Sequence, residues 1–359
     1  MEPLNNPTIK CGFSSRAVPP EDMRGLLPMG GTPEVGDLVV AEVLSIGKNK
    51  TIEECTGRTM YLFPGDLIVG AFGNRYATDQ FEGYVPHGPV EACDMLSVGG
   101  VCGEVTSRHD STAGPTRLRV LGLVAGEDGR AINSRAYGLP PRGVAGGAEV
   151  ILVVGSSMNS GKTTTAGTLA RGLSRAGFEV AAAKVTGTAA GKDARFFESC
   201  GARPVLDFTS AGYPSTYMLG LGELLTIHHG LAGYLQETGP DYIVLEVADG
   251  IFQRETRMLL DSARFRADVD HVFFAAGDSL AAECGVRCLL ERGLPLRATS
   301  GALTQSELAI RETEEATGIP CLGIGRMMGD ELLDVLQEAG NPAPNGKVHN
   351  VSLLGAACG

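Results

Sequence analysis

The segment from Glu149 to Arg175, EVILVVGSSMNSGKTTTAGTLARGLSR, restricts the fold of this chain more than any other. Val150 to Val154 is an unbroken run of β-branched and leucine side chains bounded by Gly155, the pattern of a parallel strand buried on both faces. A turn of small and polar residues follows. Ala166, Leu169, Ala170 and Leu173 then recur at three- and four-residue steps, which predicts a helix leaving the turn at Lys162. Strand, glycine-bearing turn, Gly161-Lys162-Thr163 and helix together read as a phosphate-binding loop.

The chemistry asks for these residue types. Successive backbone N–H groups in a tight turn, with the unpaired N–H groups of a helix start, form a positive nest for phosphate oxygens. The expected cradle is Gly155, Ser157, Met158, Asn159, Ser160, Gly161, Lys162, Thr163 and Thr164. Gly161 lets the backbone approach the anion, Lys162 brings a movable charge to the outer phosphates, and the Thr163 hydroxyl is placed for a magnesium ion. The usual spacing puts Ser156 where the pattern has its first glycine, with Gly155 one residue earlier. An ordinary Gly/Ser-rich connection is the alternative, and the flanking strand and helix weigh against it.

A chain of 359 residues can hold two domains and a sizeable core. Its net charge of −12 and lack of basic runs argue against a nucleic-acid surface. Apolar segments fall short of the roughly 20 residues of a membrane span, and MEPLNNPTIK has no apolar signal core. The expectation is a cytoplasmic protein with no membrane partner. Nine cysteines without a C-x-x-C pair fit reduced thiols. Cys284 and Cys288 share a helix face and read as small core residues. His228 and His229, neighbours on a helix, are expected to point apart and form no chelate.

The predicted architecture is α/β: a parallel-sheet nucleotide-binding domain over residues 148–340, preceded by a smaller β-rich domain over 34–140. Residues 1–33, rich in proline and glycine, read as an arm or linker, and 341–359 as a tail. In the β-rich part, Val39, Ala41 and Val43 alternate with Val40, Glu42 and Leu44, and the spacing of glycines suits a barrel or sandwich. The polar stretch Asn74 to Phe81 is either a functional loop or a solvated connection. A Pro/Gly-rich joint follows at 138–148. Beyond the phosphate loop, strands are expected at Glu179–Lys184, Pro204–Phe208, Asp241–Val247, His271–Ala276 and Leu294–Thr299. Helices are expected at about 220–237, 253–264, 278–291 and 304–317 between and after them, which implies right-handed crossovers and ligand at the carboxyl strand ends.

Asp241 to Glu246, DYIVLE, is a buried strand that delivers a carboxylate at its end, so Glu246, with Asp249 second, is the candidate magnesium acid. Lys184 closes the strand VAAAK and would present its ammonium to an anion, and Asp193 offers a further carboxylate. Lys192 is equally a surface lysine. Thr186, Tyr213, Ser215, Thr216, Asp249 and Arg254 are candidate substrate contacts; helix capping, a Gly-Tyr-Pro turn and a helix-start charge pattern account for several of them equally well.

The order GSSMNSGKT, AAAKVTGT, GKD, VLEVADG resembles the dethiobiotin synthetase group and its cobyric-acid-synthase and uncharacterised P-loop relatives, including domain of unknown function 1611, over residues 149–325. In that group the extra residue before Gly-Lys-Thr is normal. The resemblance implies ATP and Mg2+ as cofactors, phosphorylation of a carboxylate or carbamate for attack by an amine, and a homodimer. It implies that Lys162 binds outer phosphates, that Thr163, Asp193 and Glu246 serve the metal, and that Lys184 meets the substrate anion. Val185-Thr186 stands where a dethiobiotin synthetase has proline next, and VADG replaces its glycine-rich sequence, so the biotin precursor is not the expected substrate. The leading expectation is a ligase-like enzyme acting on a small molecule with a carboxylate or amine. A small-molecule kinase and a nucleotide switch or cofactor-delivery protein are the alternatives.

Overall fold

The structure is a computed structural model, and it describes residues 9–144 and 146–337. The expected tail at 341–359 lies outside them, as do the first eight residues of the expected arm. The amino-terminal strands are β1 (Lys10–Cys11), β2 (Gly25–Leu27), β3 (Leu38–Ser45), β4 (Thr51–Glu53), β5 (Thr59–Tyr61), β6 (Leu67–Phe72), β7 (Phe81–Tyr84), β8 (Ala92–Met95), β9 (Val101–Arg108) and β10 (Thr116–Ala125). Strands β6, β3, β10, β8 and β9 pair in that order, and a short parallel pairing of β9 with β6 closes the ring. The alternation in β3 explains the closure. Val39, Ala41 and Val43 point into one apolar cluster with Phe72, Met95 and Leu118, while Leu38 and Val40 join Val69, Val124 and Ile132 on the other side.

That second side is covered by residues the sequence reading took for an arm. Instead, β1 pairs with β6, β2 pairs with β10, and Val18 and Met23 are buried against the sheet. Proline and glycine there mark tight turns between short paired segments rather than a loose linker.

The second half runs β11 (Glu149–Gly155), α1 (Lys162–Arg175), β12 (Val180–Lys184), α2 (Lys192–Ser199), β13 (Val205–Asp207), α3 (Leu221–Glu237) and β14 (Tyr242–Glu246). It continues through α4 (Arg254–Asp261), α5 (Ala263–Arg266), β15 (His271–Ala275), α6 (Ser279–Glu291), β16 (Leu296–Ser300), α7 (Glu307–Thr317), α8 (Ile324–Met327) and α9 (Glu331–Gln337). The strands form one parallel sheet in the order β13-β12-β14-β11-β15-β16. The protein is therefore α/β, with a parallel sheet and a separate β-rich sheet.

Strand β11 shows why both faces are apolar. Val150, Leu152 and Val154 pack into the layer of α3, α4 and α6, and Ile151 and Val153 pack into the layer of α1, α2 and α9. A parallel sheet sandwiched in this way leaves its polar strand ends as the place where ligands gather. No helix among the described residues is long and apolar enough to cross a membrane.

Candidate functional site

Beyond the carboxyl ends of β11, β12 and β14 lies a cleft of about 530 Å³. It is lined by Met158, Asn159, Gly161, Lys162, Thr163 and Thr164 from the loop and the start of α1. Lys184, Lys192, Asp193, Phe196, Glu246, Ala248 and Asp249 line the rest. The loop geometry needs its residue types. Gly161, the N-cap of α1, has φ of 100°, and a Cβ there would come within 2.8 Å of the Gly301 backbone. Asn159 sits at φ of 62°, a left-handed conformation that a short polar side chain tolerates. Helix α1 therefore begins with Lys162 at the cleft, its first N–H groups lacking intrahelical partners. Gly155 ends β11 behind the loop, and the buried Ser160 Oγ has no partner among the described residues.

Lys162 is 6 % exposed, and its Nζ donates to the Ser157 carbonyl at 2.7 Å. Burial lowers its pKa, against the opposing pull of Glu246 and Asp249. Deeper in the cleft, Lys184 and Glu246 are register partners on neighbouring strands, and their side chains lie 3.1 Å apart. Lys184 also pairs with Asp193. Burial works against the Lys184 ammonium, but Glu246 and Asp193 outweigh it, and its pKa is raised. Asp249 follows a cis peptide after Ala248. Burial pushes its carboxyl above the usual range, partly offset by Lys162, Lys184 and Arg75.

The donor set suits a hard cation. Glu246 is 1 % exposed, and its Oε2 has no partner among the described residues. With the Asp193 carboxylate and the Thr163 hydroxyl, it offers only oxygen atoms, the preference of magnesium rather than of a transition metal.

Other candidates lie elsewhere. Thr186, Tyr213, Ser215, Thr216 and Arg254 do not line the cleft, and several of their polar atoms are already committed. Thr186 Oγ1 donates to the Ala248 carbonyl at 2.6 Å and accepts from the Ala248 N–H, so it braces the turn that carries Asp249. Thr216 Oγ1 accepts from Gly187 N–H, and Ser215 Oγ accepts from Tyr217 N–H. Tyr213 is buried in the core. Arg254 donates to the Leu219 carbonyl and pairs with Glu255. These side chains hold the loops rather than face the cleft.

His228 and His229 depart from expectation, because both Nε2 atoms approach Asp268 Oδ2, at 2.9 and 3.6 Å. The fully buried His228 stacks edge-on against Phe265. Its Nε2 is within hydrogen-bond distance of Asp268, and its Nδ1 has no partner among the described residues. The two rings and the Asp268 carboxylate thus form one cluster.

The β-rich half also reaches the cleft. Asn159 Nδ2 donates to Asp79 Oδ2 at 3.0 Å, and Thr78 touches Met158. Within the polar stretch Asn74 to Phe81, Thr78 and Asp79 thus lie against the phosphate loop, and Phe81 opens β7. Arg75, 8 % exposed, donates to the Leu96 carbonyl and to Gln80, and burial lowers its pKa to about 10. Phe196, which lines the cleft, went unread in the sequence because it lies in the unpredicted helix α2.

No family model matches the chain. No curated protein matches it either. Solved structures are similar to part of it. The signal recognition particle 54 kDa protein of Aeropyrum pernix, in complex with GDP, shares 21% identity over 54% of this chain and 49% of its own, at a TM-score of 0.36. A DUF1611 family protein from Anabaena variabilis shares 15% over 54% and 58%, at 0.38. The signal recognition particle receptor FtsY of Elizabethkingia anophelis, with GDP, shares 16% over 53% and 64%, at 0.35. The chain thus spans from about half to just under two thirds of the length of these proteins.

Proposed function

We propose that the cleft binds the phosphates of a nucleoside triphosphate with magnesium, and that the protein transfers the outer phosphoryl group to a small carboxylate or carbamate for attack by an amine. The observation that carries this reading is the convergence of Lys162, Thr163 and the partnerless oxygen of the buried Glu246 in one cleft. Phosphoryl transfer asks mainly for positioning and charge neutralisation. On this reading Lys162 exchanges the Ser157 carbonyl for a phosphate oxygen, while the loop N–H groups hold the remaining oxygens. Lys184 keeps the two acids from repelling the incoming anion. Thr163, Asp193 and Glu246 would hold magnesium, which when bound offsets charge on the phosphates. Phe196, 38 % exposed on the cleft wall, suits stacking against a flat base. ATP is the nucleotide of choice by resemblance.

Calorimetry with ATP and GTP at stepped magnesium, followed by phosphorus NMR with pools of small acids and amines, tests the proposal. Magnesium-dependent uptake with ADP release that requires an acid supports it. Release of AMP alone, or no uptake, overturns it.

A nucleotide switch is the second reading. It is favoured by the Asn159–Asp79 contact, which ties the phosphate loop to the β-rich half. Slow hydrolysis without any acceptor, accelerated by another protein, would select it.

A further inference from the structure

The β-rich half also touches the start of α2, the helix that brings Lys192, Asp193 and Phe196 to the cleft. Glu53, the last residue of β4, is 3 % exposed. Its Oε2 accepts from the N–H of Gly191 at 2.7 Å, and its Oε1 pairs with Arg195. Gly191 is the N-cap of α2 and has no side chain with which to cap it. A carboxylate 138 residues away therefore takes the N–H that a glutamate of the helix itself takes in a capping box, and its charge suits the positive end of the helix.

The seat is tight. A Cβ on Gly57 would lie 2.2 Å from the Arg195 guanidinium, and Ser97 Oγ donates to the Ala189 carbonyl at 3.1 Å. The first turn of α2 carries Lys192 and Asp193, both lining the cleft, and Asp193 pairs with Lys184.

We propose that Glu53 is a positioning residue for the phosphate site. It fixes the start of α2 so that Asp193 faces Lys184 and Glu246, and through it the β-rich half sets how readily magnesium is taken up with nucleotide. This rests on the reading of the cleft as a magnesium–nucleotide site.

The full chain, Glu53→Gln, Glu53→Ala and the surface control Glu42→Gln are titrated with ATP by calorimetry, in EDTA and at stepped magnesium, with Tm recorded for each. For Glu53→Ala the half-saturating magnesium rises about tenfold, the scale of losing support behind a metal ligand, while uptake in EDTA is unchanged. Glu53→Gln keeps an acceptor for the Gly191 N–H and recovers most of the loss; Glu42→Gln matches the parent. A lower Tm with unchanged magnesium dependence means a purely structural pair and overturns the proposal. If Glu53→Ala does not fold, Arg195→Met, which removes the other half of the clasp, carries the same test with the same two outcomes. A parent chain that takes up nucleotide normally while the variants do not differ overturns only this inference. A parent chain that takes up none overturns the site reading as well.

Discussion

Lys184 and Glu246 occupy matching positions on two neighbouring parallel strands, and their side chains close to 3.1 Å at the carboxyl end of the sheet. Lys184 also meets Asp193, so one half-buried ammonium is shared by two acids. Removing it should leave Glu246, 1 % exposed, without its ion-pair partner. Lys184→Met is expected to cost about 3–5 kcal/mol, the range for breaking a buried pair from one side. The double variant Lys184→Met/Glu246→Leu should recover most of that in denaturant melts, because the acid then left without Lys184 is Asp193, which is far more exposed than Glu246.

Lys162 has a different status. Among the described residues its ammonium donates to a loop carbonyl, so Lys162→Ala should change Tm little. Nucleotide affinity should nevertheless fall roughly ten- to a hundredfold, the value of one charge-assisted hydrogen bond. Calorimetry on the folded variant checks both halves of the statement.

Gly161→Ala probes the loop backbone. With φ of 100° and the Gly301 backbone 2.8 Å from the new Cβ, the substitution is expected to cost about 1–3 kcal/mol and to abolish phosphate uptake. Retained uptake would show that the loop has another conformation available for binding.

For Asp249, burial raises the folded pKa above the unfolded one, so the fold favours the protonated acid. The resulting stability is fully present below the unfolded pKa and is lost as pH rises through the folded value. Asp249→Asn should therefore raise Tm near about pH 8 and leave it unchanged near about pH 3. An anion placed beside this carboxyl favours the protonated form further, so metal-free phosphate uptake should tighten as pH falls. The asparagine variant should flatten that limb.

The sheet was readable from the sequence because each of its strands is a short apolar run whose end changes abruptly to polar residues. Local periodicity also placed α1, α3, α6 and α7 within a few residues. Helix α2 was missed: KDARFFES is short and follows a glycine-rich stretch, and the group holding its first N–H lies far away in Glu53. No local pattern records a partner at that distance. Tyr213, Ser215 and Thr216 were ambiguous in the sequence for a related reason. Hydroxyls placed to read a substrate and hydroxyls placed to brace a turn have the same composition, and only geometry distinguishes Ser215 and Thr216, which are buried, from Thr163 on the cleft wall. The pairing of β1 with β6 and of β2 with β10 was hidden by prolines that mark turns as often as linkers.

Arg16, in the segment that follows β1, reaches across to Asp207 at 3.2 Å and to Ser210 at 2.6 Å. Ser134 donates to the Gly212 carbonyl, and Leu139 N–H donates to that of Ser210. The stretch leading out of the first sheet is thus stitched to the loop after β13 at several points. Chimaeras that exchange one half of this chain for that of a distant homologue would inherit mismatched stitches. Crossovers intended to keep both halves working would have to carry Arg16, Ser134 and the loop from Asp207 to Gly212 as one block.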